Sequence, residues 1–311
     1  MVKSLSSIAH FYPVTRITIV LFALIISFVP LPSSLLQIIS IILILGIGIM
    51  HGATDHVLFL MNECNTIKRS IPKLFFTHYF VFLGAMGVIW WITPLPALII
   101  FLGISAYHFG QTQLQYLPVR ENALRKKILY LFWGASVLGM LIFGSTATSV
   151  TLLQSTFPEA LWVEALLHYG AYIFFTCFGL AMLLIPIIGF TLNKKAALVE
   201  AIELLIIAVF SYSTDLLTSF ALFFGLWHSL RATQLQIGKI ARHDTYNVKQ
   251  FVIQSLPFFA ISLFGIGLLY FAGSYFQQQI VPEMLFLIAI SMLSMPHIII
   301  YDKFFSKFQY S

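Results

Sequence analysis

The chain has 311 residues, of which 59% are hydrophobic and only 9% charged. A water-soluble domain carries about 25% charged residues to wet its surface, so a soluble fold is excluded and lipid must be the solvent. The formal net charge of +6 comes from short basic clusters between apolar runs, which is a topological pattern and not a nucleic-acid surface. Cys64 and Cys177 stand far apart without metal-type spacing, so neither a disulfide framework nor a thiolate site is indicated.

A helix needs about 20 mostly apolar residues to cross the hydrocarbon layer. By that rule the chain is all-α, a polytopic bundle of about ten transmembrane helices forming a single integral-membrane domain over 1–311. The predicted spans are 14–30, 35–60, 73–92, 96–117, 127–153, 162–191, 197–213, 216–238, 250–275 and 283–303. The seventh is short and carries Glu200 and Glu203 near its start. The first lacks a small-x-small cleavage site, and Pro30-Leu-Pro32 reads as a turn, so it is taken as a helix and not a signal peptide.

One set of loops holds Lys68, Arg69 and Lys73; Arg120, Arg125, Lys126 and Lys127; Lys194 and Lys195; and Lys239, Arg242 and Lys249. The alternate loops, from Pro30 to Ser34, Thr93 to Pro96, Gln154 to Leu161, Tyr212 to Asp215 and Phe276 to Pro282, hold no Lys or Arg. The positive-inside rule then places both termini in the cytoplasm, with Lys3 and Arg16 before the first span and Lys303 and Lys307 after the last. The expected location is the cytoplasmic cell membrane, crossed many times.

Ionisable residues inside a span are costly and face the bundle interior. Of nine histidines, His10 and His243 fall in cytoplasmic segments. His78 and His168 lie singly near span ends, where interfacial or hydrogen-bonding roles are expected. The other five lie on even-numbered spans: His51 and His56 on the second, His108 on the fourth, His228 on the eighth and His297 on the tenth. His108 precedes Arg120 by 12 residues, about 18 Å of helix. His51 precedes Glu63 by 12 and His228 precedes Lys239 by 11, while His297 lies six before Lys303. Four helices thus bring histidine to a similar depth. Asp55, at i+4 from His51, shares its helical face and is placed to orient a histidine ring by accepting its second N–H. His56 points roughly 140° away from His51 on an ideal helix. Gln111 and Gln115 extend a polar stripe below His108, Arg231 follows His228 at i+3, and Pro296 is expected to kink the last helix before His297. Gly52 and Gly110 allow close helix approach.

Neutral imidazole binds iron, zinc, copper and nickel. No HExxH motif marks hydrolytic zinc, and nothing apart from Arg231 marks haem propionates. Redox-active iron with open positions suits oxygen chemistry. The competing reading is a proton- or metal-coupled transporter with an intramembrane His/Asp site, although neither the broken helices nor the repeat symmetry typical of transporters is clear in the sequence. Packing of histidines as interhelical glue accounts poorly for four at matched depth. The clustered boxes of a di-iron hydroxylase or desaturase are absent.

HGATDH at 51–56, YHFGQ at 107–111, WHSLR at 227–231 and PHIII at 296–300 together resemble the Brp/Blh family of membrane β-carotene 15,15′-dioxygenases, over essentially the whole chain. The resemblance implies a non-haem Fe(2+) enzyme that splits the central 15,15′ double bond of β-carotene with O2 into two all-trans-retinal molecules. It implies His51, His108 and His228 as iron ligands. Some family members carry a further histidine four residues after the histidine of the HS motif, where this chain has Ala232; His297 is the chosen fourth ligand by depth, with His56 in reserve, three histidines plus water as the alternative, and Asp55 in support behind the ligands. The implied partners are β-carotene, O2 and the lipid bilayer, with hand-off of retinal to a microbial rhodopsin and no nucleic acid. A bilayer-dissolved hydrocarbon needs an apolar pocket with few polar anchors, for which Tyr107, Phe109, Phe223, Phe224 and Trp227 are the candidate lining residues.

Overall fold

The structure, a computed structural model, describes residues 17–115, 123–157, 160–186, 194–275 and 282–308. Among these residues it is helical throughout, with no strand. The helices are α1 (Ile17–Phe28), α2 (Ser33–Cys64), α3 (Lys73–Ile92), α4 (Pro94–Leu114), α5 (Ala123–Gly144), α6 (Thr146–Thr156), α7 (Leu161–Met182), α8 (Lys194–Ser213), α9 (216–240), α10 (Val248–Tyr275) and α11 (Pro282–Lys307). Each predicted span falls on a helix, and 73–92 agrees to the residue. Among the described residues seven helices are long and apolar enough to cross a membrane, so the protein is a multi-pass helical membrane bundle. Of the remaining predicted spans, 14–30 is described only from Ile17. The seventh (α8) carries Lys194, Lys195, Glu200 and Glu203, and the eighth (α9) is interrupted. The predicted span 127–153 divides at Ser145 into α5 and α6. His10, Lys3, Arg16, Arg120 and most of the loop at 276–282 lie outside the described residues.

Two helices are irregular for a legible reason. The helix α2 runs as a regular helix over Ser33–Ile42, widens into a π turn over Leu43–Gly48, resumes over Ile49–Gly52, breaks at Ala53 and Thr54, and restarts at Asp55. Glycine and threonine are poor helix formers, and Gly46, Gly48, Gly52 and Thr54 crowd this stretch. At the break the Thr54 carbonyl accepts from both Val57 and Leu58 N–H groups, so the new helix starts on its own register. The broken helix, not clear from the sequence, is thus a property of the fold. The helix α9 starts over Leu216–Ala221, where the Asp215 carboxylate caps it by accepting from the Thr218 amide at 3.1 Å. It then makes a π turn over Leu222–Ser229 and continues as Leu230–Ile240. π turns inside α-helices are frequent at functional sites.

The helices gather into two compact units: Met1–Ile44 with Ser105–His228, and Leu45–Ile104 with Ser229–Ser311. Within the first, glycines bring backbones together. A Cβ at Gly110 would stand 1.8 Å from the Tyr130 carbonyl oxygen, and one at Gly134 would stand 1.8 Å from that of Ala106. The helices α4 and α5 therefore cross in backbone contact, as small residues permit in membranes, and this crossing fixes the segment bearing His108. Within the second unit, α11 packs on α3 and on the second half of α2. Trp90 donates to Ser291 at 2.6 Å, and Lys307 donates to the carbonyls of Met61 and Asn62, satisfying the open C-terminal end of α2.

At one end of that unit Asp244 gathers the loop after α2. It accepts from the Thr66 hydroxyl at 3.0 Å, the Ile67 amide at 3.2 Å and the Thr245 amide at 2.7 Å, with Lys68 at 3.8 Å. Burial alone would raise this carboxyl, but the two amides, the hydroxyl and Lys68 outweigh it and hold it below its ordinary value. A carboxyl depressed in the folded state stabilises above its unfolded value, about 4, and that contribution fades as pH falls through the folded value. Protection of the Ile67 amide from hydrogen exchange, corrected for intrinsic rate, should be flat above pH about 5 and fall below about 4; Asp244→Ala should lose it already at neutral pH. A second outcome concerns the crossing of α4 and α5. Gly110→Ala should destabilise the detergent-solubilised protein by about 3 kcal/mol in thermal unfolding, whereas Gly179→Ala, where an added Cβ meets nothing within 4 Å, should be neutral.

Candidate metal centre

An imidazole offers a lone pair to a metal from one nitrogen only when its proton sits on the other. On α2 the Nδ1 of His51 donates to the Gly48 carbonyl, at the close of the π turn. A carbonyl only accepts, so the proton is on Nδ1 and the lone pair on Nε2. On α11 the Nδ1 of His297 donates to Asp55 Oδ1 at 2.6 Å, with both side chains almost wholly buried. With Asp55 as the carboxylate and the ring neutral, that bond leaves the His297 lone pair on Nε2. The His51 and His297 rings stand edge to face with centroids 4.9 Å apart. Tyr79, on α3, reaches the same Asp55 carboxylate.

The break at Ala53 and Thr54 changes one expectation. On an unbroken helix Asp55 would share the face of His51; with the restart it takes the His297 ring instead, and a backbone carbonyl orients His51. A carboxylate behind an imidazole is the usual device for fixing ring orientation and raising ligand basicity, and here it serves the tenth predicted span.

In the other unit His108 and His228 stand edge to face at 4.8 Å. His228 lies in the π turn of α9. His51, His108 and His228 are all buried, and the three ring nitrogens they offer lie within 4.8 Å of one another. Two nitrogens bound to one ion at about 2.1 Å stand at most about 4.2 Å apart, which is near the spacing of this group. The donor set fits an imidazole-binding ion such as iron.

Three of the five candidate lining residues gather here. Phe109 stands 4.7 Å from the His228 ring, Phe224 stacks on it at 6.0 Å, and Phe223 meets Phe109 at 5.1 Å. Tyr107 instead faces Tyr130 at 6.0 Å, and Trp227 faces Phe210 at 6.4 Å. His56 is buried but turned into an aromatic cluster, stacked on Phe258 at 4.4 Å, and neither it nor His297 is one of the three grouped histidines. His78 is exposed and bonds its own helix at Leu74, His168 is exposed beside Tyr169, and His243 lies against Phe308.

Sequence reasoning missed a buried polar junction. Gln113 on α4 donates from Nε2 to Glu200 at 2.8 Å and Glu203 at 2.9 Å on α8, with both glutamates almost wholly buried. The two glutamates, at i and i+3 within an apolar span, are the signal in the sequence for this junction. Gly52 also differs from expectation, since a Cβ there would meet the His297 ring at an ordinary 3.5 Å.

If Asp55 holds His297, its acceptor oxygen matters more than its shape. Asp55→Asn keeps one and should cost little, whereas Asp55→Leu strands the buried Nδ1–H and should cost about 1–3 kcal/mol in detergent unfolding.

Comparison with known proteins adds one finding. Residues 42–305 match the model of the family described as beta-carotene 15,15′-dioxygenase, most of the chain and every histidine of the group. No curated protein and no solved structure matches the chain. By the extent of that match, the chain belongs to the β-carotene 15,15′-dioxygenase family.

Proposed function

We propose that this protein cleaves β-carotene at the central 15,15′ double bond with O2, giving two all-trans-retinal molecules, with Fe(2+) held by His51, His108 and His228. The observation that carries the reading is the buried three-histidine group in a chain of this family. The fourth ligand in the proposal is His297, whose proton is kept on Nδ1 by Asp55 and whose ring adjoins His51. His56 stays in reserve, its ring being engaged by Phe258.

Iron(II) bound there would supply the oxygen-activating chemistry. The side chains do the rest. One polyene and one O2 give two aldehydes with no proton gained or lost, so no general acid or base is needed; Asp55 serves orientation alone. Phe109, Phe223 and Phe224 present an apolar wall beside His228 that suits a hydrocarbon and keeps water out. Tyr107 and Trp227 are kept in the proposal as outer lining. The substrate reaches the protein from the bilayer, which the reading takes to be the cytoplasmic membrane with both termini inside, by the charge alternation of the loops. Transfer of retinal to a microbial rhodopsin rests on the sequence resemblance alone.

The interruption of α2 at Ala53 and Thr54 is the feature that favours the transporter reading, because broken helices mark transporter sites. Metal analysis separates the two: the dioxygenase retains iron on purification, whereas the transporter couples substrate to proton or metal flux in vesicles without a resident ion.

Cells that make β-carotene should lose colour and accumulate retinal when this chain is expressed. Colour loss with a different aldehyde would move the cleavage position. His51→Ala, His108→Ala and His228→Ala should each abolish bound iron and reduce turnover by at least about 100-fold, as second-order effects on ligand supports already reach 10- to 100-fold; retained iron in any variant removes that histidine from the ligand set.

A further inference from the structure

Both π turns adjoin ligand histidines, and they touch. Leu43 opens the π turn of α2, and Gly48 closes it; Gly225 lies inside the π turn of α9, three residues before His228. A Cβ at Gly225 would stand 2.8 Å from the Leu43 carbonyl oxygen, 3.1 Å from its carbonyl carbon and 3.1 Å from its Cβ. Two of those three atoms are backbone, so the helix itself would have to move. At Gly46, Gly103 and Gly238 an added Cβ meets nothing within 4 Å.

From the Leu43 turn to the ligand nitrogen the path is short and covalent or hydrogen-bonded at each step. The π turn that Leu43 opens ends at Gly48, and the Gly48 carbonyl receives the His51 Nδ1–H, which fixes the ring and assigns Nε2 as donor. A π turn carries one residue more than an α turn within the same rise, so its register is sensitive to what presses on it.

We propose that Gly225 is a positioning residue for the metal centre: its bare Cα lets the π turn bearing His228 seat on the Leu43 carbonyl, and that seat sets the π turn that aims His51. This rests on the reading of His51 and His228 as metal ligands. Gly225 touches neither metal nor substrate; it acts through the two backbones. Misplacement of reacting groups by about 1 Å costs on the order of 100-fold in rate, so a shift of a few tenths of an ångström is enough to be read.

The test uses the full-length protein in detergent or nanodiscs with cobalt(II) as the probe, because its visible bands report ligand geometry without turnover. Wild type and Gly103→Ala should bind cobalt alike and show the same spectrum. Gly225→Ala should unfold at a similar temperature yet bind cobalt about 10-fold more weakly, with shifted bands and a fall in kcat larger than any rise in KM. Wild-type affinity and spectrum in Gly225→Ala overturn the proposal, as does an equal loss in Gly103→Ala. Should Gly225→Ala not accumulate, Leu43→Gly removes the Leu43 Cβ from the same contact and loosens the backbone of the turn; it should weaken cobalt about 3-fold and shift the bands, and wild-type values there overturn the proposal equally. If wild type itself binds no cobalt, the metal reading fails and this inference with it, an outcome distinct from the others.

Discussion

An imidazole buried in a membrane has two nitrogens and one proton, and it becomes a ligand only when something else takes that proton's hydrogen bond. Most of what is unusual in this fold supplies that something. For His51 it is the Gly48 carbonyl at the close of a π turn, and for His297 it is the Asp55 carboxylate, brought into range by a break in the same helix. A regular helix uses each interior carbonyl for its own ladder. The departures from regularity in α2 therefore have a chemical use: they release or re-aim acceptors where water cannot supply them.

Irregular helices are tolerated here because rigid crossings surround them. Gly110 and Gly134 hold α4 and α5 in backbone contact, and Gln113 ties α4 to Glu200 and Glu203 of α8. In lipid there is no hydrophobic gain from bringing two apolar helices together, so packing and interhelical hydrogen bonds carry the association. The second unit uses the same means, with Trp90 on Ser291 and lysine ammonium groups on the carbonyls that end helices. The same unit holds Asp55 between His297 and Tyr79.

The chemistry asked of the site is modest in protons and strict in geometry. Dioxygen cleavage of a hydrocarbon needs a held metal, an apolar wall and exclusion of water, and few carboxylates. That matches a chain whose buried acids bond to an imidazole or an amide. Phe109, Phe223 and Phe224 lie around His228 and are the wall of the proposed function; Tyr107 and Trp227, chosen by nearness in sequence, turn to other neighbours because successive residues on a helix point about 100° apart.

The sequence by itself determined the solvent, the helices and the residues able to bind metal, because each of these is a local property. Twenty apolar residues make a span whatever surrounds them, and a histidine inside one is conspicuous at once. Recurring HGATDH, HFG, WHS and PH segments also named the family. Only the tertiary structure decided which histidine each acceptor serves, that His56 turns to Phe258, and that Glu200 and Glu203 anchor a junction. Those outcomes depend on helix register. A break after Gly52 and two π turns rotate every following side chain, and an ideal 3.6-residue period carried through them points to the wrong neighbour. The small glycines that permit the crossings are equally silent in sequence, since a glycine against a carbonyl and a glycine facing lipid read the same until the partner backbone is in place.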